Sequence, residues 1–164
     1  MKSYTKMFPH LLAFPERTPV SRPKLSENTS AGKNPSSAFE REMDESFLIY
    51  VVDDEPRLTD LYTIILEAKG YAVRAFSTRV EALAELKGER RKPDLLIMDF
   101  LGHAMPIDGF MQRCLQAHPN LRILVASGFN QLEARFTYIK PDRYLQKPFT
   151  AEEFLGEVEA ALAV

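Results

Sequence analysis

Phe47-Leu48-Ile49-Tyr50-Val51-Val52-Asp53-Asp54-Glu55-Pro56 is the stretch whose reading decides the fold. Six apolar residues in succession, without polar alternation, are the pattern of a strand buried on both faces, as in a parallel sheet. Three acidic residues end the run, and Pro56 suits the first turn of a helix. Leu58, Leu61, Tyr62, Ile65 and Leu66 then recur at i, i+3, i+4, i+7 and i+8. That spacing predicts one apolar helical face, closed by Gly70 at C′.

The unit repeats along the chain. Tyr71–Phe76 predicts a second strand, followed by a capping box of Thr78 and Glu81 that opens a helix with Val80, Leu83 and Ala84 inside and Gly88 at its end. Leu95–Met98 predicts a third strand, and Phe110, Met111, Cys114 and Leu115 the inner face of a third helix before Pro119. Leu121–Ala126 is the fourth strand, with Leu132, Phe136 and Ile139 suggesting a short fourth helix. Arg143–Gln146 is the fifth strand, and a second capping box of Thr150 and Glu153 starts a helix carrying Phe154, Leu155, Val158 and Leu162. Five alternations of strand and helix predict an α/β fold, a parallel sheet covered on both faces.

The composition excludes several classes. The chain has 164 residues, net charge −2, 45% hydrophobic and 27% charged residues. Such a charge gives no field that would attract nucleic acid or an anionic membrane. One cysteine builds neither an internal disulfide nor a structural zinc site. No apolar run approaches the roughly 20 residues of a spanning helix, and Pro9 and His10 interrupt anything resembling a signal peptide. A cytoplasmic protein is expected. Residues 1–45 hold five of the eleven prolines and seven Lys/Arg against six Asp/Glu, with no periodicity. They are read as a flexible tail before a domain at 46–164. A docking peptide around Met7-Phe8 and Leu11–Phe14 is the alternative.

In doubly wound sheets the chemistry lies beyond the carboxyl ends of the strands. There the sequence places Asp53, Asp54 and Glu55, then Asp99, then Ser127-Gly128, then Lys147-Pro148. Acidic residues before a helix are ordinary caps, which accounts for Asp53 and Asp54 but not for Asp99 or the lysine. Clustered carboxylates repel, and a hard divalent cation such as Mg²⁺ relieves the cost. A carboxylate beside Mg²⁺ and an ammonium is also a nucleophile toward phosphorus.

Val51–Pro56, Leu96-Ile97-Met98-Asp99, Met105-Pro106 with Asp108-Gly109, Ala126-Ser127-Gly128 and Lys147-Pro148-Phe149 together resemble the receiver domain of two-component response regulators. The resemblance runs from about Phe47 to the C-terminus. It implies a flavodoxin-like (βα)₅ sheet in the order 2-1-3-4-5. It implies Asp99 as phosphoacceptor from a histidine kinase or phosphotransfer protein, with Asp54 on Mg²⁺ directly, Asp53 assisting through water, and Asp99 and the Leu101 carbonyl completing the protein ligands. Ser127 would follow the arriving phosphoryl group, and Lys147 would pair with its oxygens. The Lys147–Pro148 bond would be cis. Tyr144 matches the aromatic switch position, with an edge-strand aromatic half covered by the last helix as the alternative. With no DNA-binding or enzymatic segment expected after the last helix, output would pass to another protein through the domain surface. A monomer or weak dimer is expected, and turnover would be switch-like, so the domain is not read as an enzyme.

Two departures stand out. The family runs from its aspartate to Met-Pro in three residues, whereas Asp99 to Met105 is six. The Leu101 ligand therefore rests on an altered loop, in which His103 is read as exposed. The stretch from Ser127 to Tyr144 is short, so the fourth helix is expected to be stunted. Leu101 and Phe129, each two residues past a site residue, are apolar and predict hindered access of hydrolytic water. A phosphorylation-independent interaction module is the main alternative function. A Mg²⁺-dependent phosphatase would need a further acid or base, for which only Asp53 and His103 offer.

Overall fold

The computed structural model describes residues 46–88, 91–101, 104–136 and 139–163. The tail expected over 1–45, and the loop histidine His103, lie outside the described residues. Strand β1 is Leu48–Val52, β2 Ala72–Phe76, β3 Leu95–Asp99, β4 Arg122–Ser127 and β5 Arg143–Gln146. Helices are α1 Pro56–Glu67, α2 Arg79–Gly88, α3 Ile107–Ala117 and α4 Ala151–Leu162, with a 3₁₀ turn at Leu132–Arg135. The strands form one parallel sheet in the order β2-β1-β3-β4-β5, as expected.

Burial on both faces explains the unalternated runs. Tyr50, Val52, Leu96, Met98, Ile123 and Val125 point to one side, against Leu83 and Leu86 of α2 and Phe110, Met111 and Cys114 of α3. Ile49, Val51, Leu95, Ile97, Leu124 and Ala126 point to the other, against Tyr62 and Leu66 of α1 and Phe154, Val158 and Ala161 of α4. Burial pushes the Cys114 thiol up to about 12, so it is a core atom rather than a reactive one.

The terminators behave as their chemistry requires. Gly70 has φ +85°, donates to the Glu67 carbonyl at 2.9 Å, and is followed by Tyr71 donating to Leu66 at 3.2 Å. That pair of bonds is a Schellman motif with glycine at C′, where a left-handed residue is needed. Both expected capping boxes are present, Thr78 with Glu81 and Thr150 with Glu153.

Three expectations need correction. Leu61 is 48% exposed, and the buried face of α1 is Thr59, Tyr62 and Leu66. Thr59 stays inside because its hydroxyl donates to the Pro56 carbonyl at 2.8 Å. In α2 Val80 is 57% exposed and Ala84 is exposed too, and the inward face is Arg79, Ala82, Leu83 and Leu86. The fourth helix is stunted as expected, to the 3₁₀ turn at Leu132–Arg135 entered through Gln131 at φ 57°, but Phe136 and Ile139, expected in it, are buried outside any helix.

The corrected α1 face has a measurable consequence. Leu66→Ala, at a fully buried side chain, should cost about 3 kcal/mol of unfolding free energy. Leu61→Ala should change it by less than about 0.5 kcal/mol. Urea titrations of both variants decide this, and equal losses would restore Leu61 to the core.

Candidate functional site

The ladders continue one residue past the strand ends and so place the polar residues side by side. Asp53 N–H donates to the Phe76 carbonyl at 3.3 Å, Phe100 N–H to Ala126 at 3.0 Å, and Lys147 N–H to Ser127 at 2.8 Å. In register, Asp99 lies opposite Ala126 and Ser127 opposite Gln146. One edge of the sheet therefore carries the chain turns after β1, β3, β4 and β5.

Lys147 organises that edge. Its Nζ donates to Oδ1 of Asp99 at 2.7 Å and to Oδ2 of Asp53 at 3.3 Å. The remaining oxygen of Asp99 accepts from the Leu101 N–H at 2.7 Å, and that of Asp53 from the Glu55 N–H at 3.0 Å. Asp53 is only 3% exposed, and these two donors satisfy its buried carboxyl oxygens. The Lys147–Pro148 bond is cis.

The other expected residues are placed differently from one another. Asp54 is exposed beside this cluster. Ser127 is 1% exposed, and its hydroxyl accepts from the Phe129 N–H at 3.1 Å rather than reaching Asp99. Leu101 has an exposed side chain, and the backbone atom it gives to Asp99 is the amide. Tyr144 is half-buried, but not under the last helix. It packs on Phe136 at 5.8 Å, on the opposite face of the sheet from α4, because Leu145 is the residue of β5 that faces that helix. Its hydroxyl is enclosed with no hydrogen-bond partner among the described residues.

Arg79 is the functional-site neighbour that the sequence did not reveal. It is 3% exposed, and its guanidinium donates to the carbonyls of Met105 at 2.6 Å, Asp99 at 2.8 Å and Phe100 at 3.0 Å. A hydrophobic-periodicity search passes over it, since it assigns the inward position to Val80 one residue later.

Among the described residues no three acidic, histidine or cysteine side chains form a ready-made metal shell. The donor chemistry nevertheless suits Mg²⁺. That ion prefers oxygen, retains several waters, and is held by one or two carboxylates. Asp53 and Asp99 already converge on one cation, and the neighbouring Asp54 is open to water.

Burial pulls the Lys147 pKa down, but the hydrogen bond to Asp99 and the charges of Tyr62, Asp53 and Asp99 outweigh it, and the net shift is upward. A raised folded-state pKa means that the native protein holds this proton more tightly than the unfolded chain. The stabilisation is complete below the ordinary lysine value of 10.5 and is lost as pH climbs through the folded-state value. Denaturant titrations between pH 8 and 11 should therefore show wild type losing stability relative to Lys147→Met only above about pH 10. A difference already falling between pH 7 and 8 would contradict this electrostatic picture.

Comparisons with known proteins agree with the geometry. The family model described as "Response regulator receiver domain" matches residues 49–159. The nitrogen assimilation regulatory protein NtrX of Azorhizobium caulinodans is 32% identical over 118 residues, covering 70% of this chain and 26% of that protein. The regulatory protein VanRc of Enterococcus gallinarum is 33% identical over 119 residues, covering 70% and 49%. This chain thus spans between a quarter and a half of those relatives. Among solved structures, a CheY-like receiver domain protein from Methanospirillum hungatei superposes with TM-score 0.65 at 25% identity, over 71% of this chain and 94% of that one. Receiver domains are signalling domains that interact with histidine kinases and effector domains and typically bind Mg²⁺ where they are phosphorylated. With the family model matching well over half of its residues in an intact parallel sheet, the chain belongs to the response-regulator receiver domains.

Proposed function

We propose that the domain is a phosphoacceptor switch. Asp99 takes a phosphoryl group from a histidine kinase or histidine phosphotransfer protein, and the altered surface signals to a downstream protein. The observation that supports this most directly is the 2.7 Å contact between Lys147 Nζ and Oδ1 of Asp99. A phosphoryl group arriving on this carboxylate delivers its negative oxygens to a fixed cation.

The chemistry balances within the site. A carboxylate oxygen of Asp99 forms the new bond to phosphorus, the P–N bond to the donor imidazole breaks, and the nitrogen leaves with the electron pair and takes a proton. Mg²⁺, when bound, offsets charge on the transferring oxygens, and Asp54, Asp53, Asp99 and the Leu101 carbonyl are the groups that would hold it. Lys147 exchanges its carboxylate partner for a phosphoryl oxygen. Ser127, now accepting from its own loop, turns to donate to another and draws that loop inward. Tyr144 responds beside an open cleft of about 590 Å³ lined by Gln131, Glu133, Ala134, Lys140 and Gln146, on the face offered to the downstream protein. Turnover is that of a switch and not of a metabolic enzyme.

The same reading gives a cytoplasmic protein, a monomer or weak dimer that contacts neither nucleic acid nor membrane. No helix among the described residues is long and apolar enough to cross a membrane.

Incubation with radiolabelled acetyl phosphate and Mg²⁺ should leave one label per chain at most, absent from Asp99→Asn. A folded wild type that takes no label would point to a phosphorylation-independent interaction module, and continuous phosphate release to a phosphatase.

A second measurement follows from the apolar neighbours of the site. Leu101, two residues past Asp99, is 54% exposed, and Phe129, two residues past Ser127, is half-buried. Replacing Leu101 with asparagine, which can orient water, should shorten the lifetime of the acyl phosphate severalfold. Equal decay rates for wild type and Leu101→Asn would remove the hindrance idea.

A further inference from the structure

The stretch from Asp99 to Met105 is longer than the family's, and a longer loop closes at a larger entropic cost unless something ties its ends. Arg79, the first residue of α2, sits beneath those ends. It bonds Asp99 and Phe100 on the entering side and Met105 on the leaving side. Buried carbonyls need donors, and three that converge from different directions need a donor with several N–H groups in a fixed plane. A guanidinium meets that need and an ammonium does not. Only Nε of Arg79 is left without a partner among the described residues.

The same loop carries the Leu101 N–H that occupies one oxygen of Asp99 while Lys147 occupies the other. The orientation of the acceptor carboxylate thus depends on where the Asp99–Leu101 backbone is held. We propose that Arg79 is the positioning residue of the phosphoacceptor loop. By clamping the carbonyls of Asp99, Phe100 and Met105 it keeps the Leu101 amide on the Asp99 carboxylate and aims the free lone pairs of that carboxylate at the incoming phosphorus. This rests on Asp99 being the phosphoacceptor, and it adds a residue that touches neither phosphorus nor the attacking oxygen.

Arg79→Lys is the discriminating variant, because it keeps the charge and removes the fork, and Arg79→Gln removes both. Two readouts are needed. Hydrogen–deuterium exchange in the metal-free protein should show peptides covering 99–106 exchanging about tenfold faster in Arg79→Lys, with β1 and β4 amides unchanged. Labelling by acetyl phosphate at saturating Mg²⁺ should be slowed by about tenfold in both variants, in line with other positioning contacts. Wild-type exchange and wild-type labelling in a folded Arg79→Lys would overturn the proposal. So would faster exchange spread evenly over β1 and β4, or failure of both variants to fold, since either outcome makes Arg79 a general support of the core. The exchange arm involves no phosphoryl donor. If wild type takes no label yet Arg79→Lys loosens only 99–106, the clamp stands and the phosphoacceptor reading falls.

Discussion

The ammonium of Lys147, shared between Asp99 and Asp53, is the interaction on which the rest of this edge depends. Two carboxylates at neighbouring strand ends repel, and one of them is almost wholly out of water. Without a cation between them, that repulsion would push the two strand ends apart. With the lysine in place, both carboxylates converge on one ammonium. The sheet supplies the rigidity: β3 and β5 flank β4, and Lys147 is held by its amide on the Ser127 carbonyl just where β5 ends.

A second cation works on the same residue from its backbone side. Burial lowers the pKa of Arg79, and the charges of Asp99 and Asp54 oppose that shift. Asp99 therefore lies between a lysine at its side chain and an arginine at its carbonyl. The two have different geometric tasks. A compact ammonium can transfer from a carboxylate oxygen to a phosphoryl oxygen with little rearrangement, whereas a planar fork engaged by three carbonyls resists displacement. One contact suits exchange during a reaction and the other suits a frame that stays still.

Much of this was legible in order along the chain. Apolar runs marked β1, β3 and, from Ile123 on, β4, because parallel strands covered on both faces have no polar side to show. Gly70, Thr78 with Glu81 and Thr150 with Glu153 marked helix ends, because caps are local chemistry. The edge residues Asp53, Asp99, Ser127 and Lys147 followed from the strand ends. What escaped depended on contacts distant in sequence. Arg79 is inside because carbonyls 20 to 26 residues away receive its protons, and no local rule favours arginine over the adjacent Val80. Leu61 sits at a proper helical spacing yet faces water, since Thr59 satisfies its hydroxyl within the first turn and takes the inward position. The alternative that placed Tyr144 under the last helix fails, because side-chain alternation along β5 turns Tyr144 to the other face and gives that place to Leu145.

That turn decides what packs between the edge and the surface. Phe100, next to Asp99, meets Phe129 edge-on at 5.9 Å and Phe136 at 5.7 Å, and Phe136 in turn meets Tyr144 at 5.8 Å. Phe129 belongs to the loop of Ser127 and is roofed by the Arg135 guanidinium at 4.3 Å. The loops after β3 and β4 are thus packed against one another and against the residues before β5 through aromatic rings rather than through a regular fourth helix. Close-packed rings have few alternative arrangements, so a shift of either loop has to be accommodated by Phe136 or by Tyr144. Tyr144 is the softer of the two. It is half exposed, and its enclosed hydroxyl lacks a partner among the described residues, a cost that any rotation toward water would relieve.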